Sequence, residues 1–387
     1  MGAKFFDSTV IGSAEKALDF IGNFFEYSIE YPVIGKDLDG KIPLWNEGAR
    51  RKVRVFAATV FCVAVVVALV LGYLSTRNTP FTPATPVEEL SIASATLPHT
   101  ALLQIALANG YFAEEGLTLT VTPVSHGKVA IELLLQGKAD LATAAEVPFV
   151  LQVLAGQPLG IAATILSISN GSTIVARRDR GISSPRDLKK KKVGITSGTS
   201  GEYFLWAFLI RHKLPPESVT LVDVLPGQIV QELAKGTVAA IATWQPFAFN
   251  ARTALGENAV SFTEANAYTE THVVVGRSDF LRGHPKAIEK LVRALLKAEQ
   301  FNRSQPEKAL HLVAERLKSD VQSLRPTWND FDFRVNLLQS QLITLEEEAR
   351  WAMARGHVEQ GPVPNFLPHL YLDALLAVRP ERVTVAR

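Results

Sequence analysis

From Val55 to Leu74 the chain carries no charged residue and almost only apolar side chains. At about 1.5 Å rise per residue, about twenty helical residues cross the roughly 30 Å hydrocarbon core of a bilayer. Arg50, Arg51, Lys52 and Arg54 stand just before this run, whereas Arg77 is the one basic residue from Ser75 to Glu88. Cationic flanks resist translocation. The pattern predicts a cytoplasmic head (1–52), a single transmembrane anchor (53–75) in the cytoplasmic (inner) membrane, and a periplasmic or extracellular body. A cleaved signal peptide has a shorter apolar core nearer the N-terminus and a small-x-small site, which Leu71–Thr76 does not offer. A lipoprotein needs cysteine at the end of the run, and Cys62 lies in its middle. The expectation is an uncleaved anchor.

Thr79–Glu88 contains Pro80, Pro83 and Pro86, so residues 76–88 read as an extended linker. The remaining body is long enough for two lobes with separate cores. A net charge of +2, with no arginine-rich or aromatic-interleaved stripe, gives no case for nucleic-acid binding. The single cysteine excludes an internal disulfide framework and a cysteine zinc site.

In the body, short apolar strands alternate with amphipathic helices. Strands are expected at Glu89–Ala95, Leu117–Val124, Asp140–Thr143, Lys192–Ile195, Val219–Val224 and Val238–Thr243. Helices are expected at Thr100–Asn109, Val129–Gln136, Ser200–His212 and Gln228–Ala234. This alternation points to α/β lobes with parallel sheets. Beyond Lys286 the chain reads as mostly helical, through Ala287–Asn302, Pro306–Leu317 and Phe331–Gln341. One unit occurs twice: Leu133–Thr143 and Glu232–Thr243 each read helix, Gly turn, buried strand ending in Ala-Thr. Two similarly built lobes would produce that echo.

Ligand candidates sit where strands run into helices. Lys192–Gly201 is a strand followed by a small-residue turn and a helix start; Ser197, Gly198, Thr199 and Ser200 could present amides and hydroxyls to an anion, or simply cap the helix. The turns Thr96–Thr100, with His99, and Ser125–Gly127, with His126, could face the same cleft, as could Ala145 and Glu146. Either histidine could instead be a capping or surface residue. Trp244 and Gln245 follow the second echo strand, where open α/β sheets bind ligands; Trp244 could equally fill core. Trp206 and Trp351 read as core. There is no H-E-x-x-H, no G-x-S-x-G, no phosphate loop, and no His/Asp/Glu cluster at metal-ligand spacing. The expectation is therefore capture without catalysis, and no metal or cofactor.

Gly110–Leu117, Gly137–Thr143, Ile182–Leu188, Gly198–Gly201, Ala242–Pro246, Glu348–Trp351 and Val363–Phe366 together resemble the nitrate/sulfonate/taurine and thiamine-precursor-like branch of ABC-transporter substrate-binding proteins. The resemblance covers nearly all of 89–387. It implies a two-lobed periplasmic-binding-protein fold (type II), with lobe one at 89–171 and 276–387 and lobe two at 172–275. It also implies a small solute, a membrane permease and a cytoplasmic ATPase as partners. Ligand loops carried over are Thr96–Thr100, Ser125–Gly127, Ala145–Glu146, Ser197–Ser200 and Trp244–Gln245. Two departures are Ala239, where the family usually has Asp, and Lys190–Lys192, where it usually has Gly after Asp-Leu-Lys. The family's pyrimidine-synthesising relatives use a cysteine-rich stretch that this body lacks. Residues 27–51 resemble the first third of a PAS sensory domain, with a turn expected at Asp39-Gly40. That fragment motivates an alternative, a sensory subunit signalling solute binding to a cytoplasmic kinase or cyclase.

Overall fold

The computed structural model describes residues 19, 23, 34–35, 44–45, 47–77, 87–264 and 268–386. The chain divides into two compact units, Met1–Pro83 and Ala84–Arg387. In the first, β1 (Ile34–Gly35) and β2 (Leu44–Trp45) pair antiparallel, as a turn around Asp39-Gly40 requires. The turn itself, the rest of the PAS-like stretch and most of the Pro-rich linker lie outside the described residues. The apolar run belongs to one helix, Glu47–Arg77, of 31 residues, about 46 Å long at 1.5 Å per residue. Residues 50–69 are long and apolar enough to cross a membrane, and no part of that stretch is buried.

The second unit holds two five-stranded sheets built on one plan. In the first lobe the order is β4-β3-β5-β12-β6, formed by Leu117–Val124, Glu88–Ala95, Leu141–Ala145, Glu270–Arg277 and Leu159–Ile168. In the second lobe it is β9-β8-β10-β7-β11, formed by Thr220–Asp223, Lys192–Ile195, Ala240–Trp244, Ser172–Arg177 and Ala259–Phe262. The two echo strands, β5 and β10, are the central strand of their sheets. Each follows a helix closed by a left-handed glycine, Gly137 at φ 68° and Gly236 at φ 78°, a conformation a β-carbon disfavours.

The sheets are not wholly parallel, as the α/β alternation predicts. In each sheet four strands run in one direction and one runs against them, β12 in the first and β7 in the second, each paired antiparallel with both of its neighbours. The chain leaves the first lobe between Ile168 and Ser172 and returns between Phe262 and Glu270. A strand that returns from the neighbouring lobe enters the sheet from the opposite end, so it lies antiparallel. Because β12 belongs to the first sheet, the second lobe ends before Glu270, not at residue 275.

The helix expected at Phe331–Gln341 starts only at Gln339. Phe331, Phe333, Val335 and Leu337 are buried while Asp332 and Arg334 are exposed, a period of two that belongs to extended chain. The segment bridges the outer edge of β6: the amides of Thr164 and Ser167 donate to Asn336 and Asp332 carbonyls at 2.9 and 3.0 Å. An open edge is thereby covered. The real helix, Gln339–Ala354, serves both cores. Leu345, Ala349 and Met353 pack in the first-lobe core, and Trp351 and Ala352 in that of the second lobe.

Gly127, which opens the helix Gly127–Leu135, lies flat on β5. A β-carbon there would stand 2.6 Å from Ala144 Cα and 2.8 Å from Ala144 Cβ. Central-strand backbone cannot yield cheaply, so Gly127→Ala is expected to cost about 1–3 kcal/mol. Thermal unfolding of the full chain checks this; a melting temperature equal to the parent's would contradict it.

Candidate functional site

The carboxyl ends of the parallel strands in both sheets meet at one cleft. From the first lobe come Leu97 after β3, His126, Gly127 and Lys128 after β4, and Ala145 and Pro148 after β5, together with Glu270 and His272 of β12. The second lobe contributes Thr199, Ser200 and Trp244. Three helices of nine residues or more begin here, at Gly127, Glu146 and Ser200. Their unpaired first-turn amides and dipoles favour an anion. Lys128 reaches across the cleft, its Nζ donating to the Ser197 carbonyl at 3.3 Å. The remaining cavity is ≈ 20 Å³, room for about one water.

Of the residues singled out in the sequence, His126, Gly127, Ala145, Thr199, Ser200 and Trp244 line this cleft. Trp244 packs with Ala95 and Leu97 and meets Phe247 edge-on at 6.0 Å. The others are placed differently. Thr96 and Ser125 are exposed, and the Ser125 hydroxyl pairs with His126 Nδ1 at 2.9 Å. The Thr100 hydroxyl donates to the carbonyls of Ala95 and Leu97 within its own turn. Gln245 Oε1 accepts the Phe249 amide, closing the start of helix Phe247–Leu255. Glu146 is fully buried, and both its oxygens accept the Thr271 amide at 2.9 Å. Burial, reinforced by Glu270, pushes its pKa well above the usual carboxylate range.

The turn before Ser200 uses two of its amides internally. Ser197 N–H donates to Asp223 at 2.9 Å, and Gly198 N–H, at φ 72°, donates to Glu202 at 2.8 Å. The cap of this helix is Thr199, not Ser200, and the Thr199 hydroxyl is held by the Thr196 carbonyl at 2.7 Å. Ser200 instead turns its hydroxyl to Glu270. Two amides of the turn and the Thr199 hydroxyl are thus taken up by the protein's own groups.

Glu202 also meets His357 Nε2 at 3.0 Å. Burial raises the Glu202 pKa, but the bonds from His357 and Gly198 outweigh it and leave the group below its ordinary value. A depressed folded pKa adds stability that is complete above the unfolded value and lost as pH falls through the folded one. Glu202→Gln should lower the melting temperature at pH 7, with the gap to the parent closing as pH drops below about 4.5. A gap that does not change with pH would refute a contribution from the charged Glu202 carboxylate.

Electrostatically, Lys128 is the cation of the cleft lining. Burial, aided by Lys128, pulls the His126 pKa down, and burial pulls His272 well down, so both rings are neutral. Burial pushes Glu270 up to about 7 against hydrogen bonds from Ser200 and Ser172, the latter at 3.1 Å. Behind the cleft wall lies a group that sequence spacing does not flag. His99, Glu270 and His272 place one donor atom each within 4.8 Å of one another. His99 is 1% exposed, stacks against His272 at 4.7 Å, and has no hydrogen-bond partner on either ring nitrogen. The period-two polar residues Glu270 and His272, interrupting an apolar strand, are the signal that could have found half of this cluster.

A protein-family model described as NMT1/THI5 like matches residues 98–309. The taurine-binding periplasmic protein of Escherichia coli (strain K12) is 24% identical over 203 residues, 51% of this chain and 62% of that protein. The alkanesulfonate-binding protein SsuA from Xanthomonas axonopodis pv. citri, solved bound to MOPS, matches with a TM-score of 0.66 at 17% identity, covering 74% of this chain and 99% of that one. The periplasmic nitrate-binding protein NrtA from Synechocystis PCC 6803 gives 0.62 at 15% identity, over 76% and 89%. The two-sheet body thus has the α/β periplasmic-binding-protein fold.

Proposed function

The chain belongs to the NMT1/THI5-like family, and from that premise we propose that its body is the solute-binding component of an ABC importer. It captures a small anionic or heteroaromatic solute of the sulfonate, taurine, nitrate or thiamine-precursor kind, and hands it to a permease driven by a cytoplasmic ATPase. The observation that carries this reading is the convergence of Lys128 and three helix starts on one interlobe cleft that Trp244 also lines. Amides and a lysine recognise the charged end, and the indole stacks on an attached organic group. The chain passes from the first lobe to the second after Ile168 and back after Phe262, and parting of the lobes opens the cleft. A cavity as small as the present one admits such a solute only after they part. A solute touching both lobes favours the closed form by its differential affinity for it.

The Glu47–Arg77 helix serves in this reading as an uncleaved membrane anchor, with the head cytoplasmic and the body periplasmic or extracellular. Alkaline extraction of membranes should leave the full chain in the pellet; its release into the supernatant would end the anchor assignment. For the solute, calorimetry on the full chain in detergent micelles should give about micromolar or tighter binding for at least one of taurine and alkanesulfonates, nitrate, or a pyrimidine. Silence across all three classes would overturn the substrate assignment.

A further inference from the structure

We propose that His99, Glu270 and His272 form a binding site for a divalent transition-metal ion of the zinc class at the floor of the cleft. Two imidazoles and one carboxylate are a donor set that zinc accepts, leaving a further position open. Glu270 and His272 are two apart on β12, so they project from one face of the strand. His99 reaches them from the turn after β3. His272 Nε2 stands 3.8 Å from Glu270 Oε1, whereas ligands about 2.0–2.1 Å from a tetrahedral ion sit roughly 3.3 Å apart. The three donors lie within 4.8 Å of one another, so side-chain rotation must draw the set together around the ion.

The second observation is independent of this spacing. Both ring nitrogens of His99, and Nδ1 of His272, are buried without a hydrogen-bond partner. An unsatisfied buried polar group costs about 1–3 kcal/mol, and three at one point mark a place where the protein alone leaves a need unmet. A bound cation takes one nitrogen of each ring and so meets part of that need. Ser172 and Ser200 hydrogen-bond the Glu270 carboxylate, the kind of outer contact that orients a metal-binding group. Because Glu270 and His272 face the cleft and His99 lies behind them, the open coordination position points into the cleft. One carboxylate leaves the ion with net positive charge there, available to water or to an anionic donor. Metal binding itself does not depend on the solute reading above.

The test uses the full chain in detergent, stripped with a chelator and titrated with zinc or cobalt(II) chloride. Wild type should take up one ion per chain. Its cobalt form should show visible bands of a low-symmetry, four- or five-coordinate ion, distinct from the weak spectrum of the aqueous ion. His99→Gln and His272→Gln should each weaken zinc at least about 100-fold, while His311→Gln, at an exposed helix position, should bind as wild type does. If both cleft variants fail to fold, the cobalt spectrum of wild type decides the matter alone. An aqueous-ion spectrum, or one ion per chain retained in the folded His99→Gln, His272→Gln double variant, overturns the proposal. Since the readout is metal and not solute, failure here leaves the importer reading standing, and silence in the solute screen leaves this one standing.

Discussion

Trp351→Ala is expected to destabilise the body by about 3–5 kcal/mol, the range for emptying a buried aromatic site. Trp351 is 1% exposed and meets Tyr203 edge-on at 5.3 Å and His357 at 4.9 Å. Tyr203 in turn packs edge-on against Tyr268 at 4.8 Å. The effect exceeds that of an ordinary core residue because of where the indole sits. Its helix, Gln339–Ala354, sends Leu345, Ala349 and Met353 into the first-lobe core, while Trp351 and Ala352 enter the core of the second. Removing the ring opens a cavity at a helix that ties both lobes together. Trp351 Nε1 has no hydrogen-bond partner, so Trp351→Phe deletes no bond and should cost less than half as much as the alanine change. Denaturant unfolding of the full chain measures both. A loss below about 1 kcal/mol for alanine, or equal losses for the two variants, would show that the ring is not filling a shared core.

That helix also marks how far the sequence could be read. Trp351 is recognisable as core from its apolar surroundings, but nothing local says which core. The assignment of 276–387 to the first lobe therefore misses a helix that serves two. The repeated helix–Gly–strand unit was legible because its chemistry is local: a glycine at positive φ and a buried strand are needed each time, and both echo strands proved central in their sheets. Strand direction was not legible. Val273, Val274 and Val275 make a buried strand whichever way β12 runs, and only the return from the second lobe sets it antiparallel. At Phe331–Leu337 the alternation of apolar and polar residues was present, yet the helical segments before it obscured the change of period.

The cleft was partly legible for the same kind of reason. Strand-to-helix turns announce themselves by small residues, so His126, Thr199, Ser200 and Trp244 were found. Thr100, Thr199 and Gln245 satisfy neighbouring backbone groups. Short polar side chains commonly do so, and sequence cannot tell such a cap from a ligand donor. Glu270 and His272 come from a strand far along the chain from His99, and only folding unites them. Lys128 stands in sequence just before the helix expected at Val129–Gln136, and only folding shows it reaching the Ser197 carbonyl across the cleft.

Lys128→Met is expected to weaken binding of a sulfonate or nitrate about 10–100-fold, since a charge-assisted hydrogen bond contributes about 1.5–3 kcal/mol and each 1.4 kcal/mol is tenfold. With His126 and His272 held neutral by burial, Lys128 carries the full positive charge in the lining. Its present partner, the Ser197 carbonyl at 3.3 Å, is a long contact that an anionic oxygen readily replaces. Methionine keeps the stem and its packing and removes only the charge. Helix-start amides remain, so binding should be reduced and not abolished. In an enclosed cleft the loss should also persist at 0.5 M salt, where exposed charge pairs are screened. Calorimetry with the sulfonate and a neutral pyrimidine separates the two solute classes. A loss confined to the sulfonate supports anion capture at Lys128. Equal affinity of parent and variant for every anion that the parent binds would remove Lys128 from recognition and leave the amides as the sole anion donors.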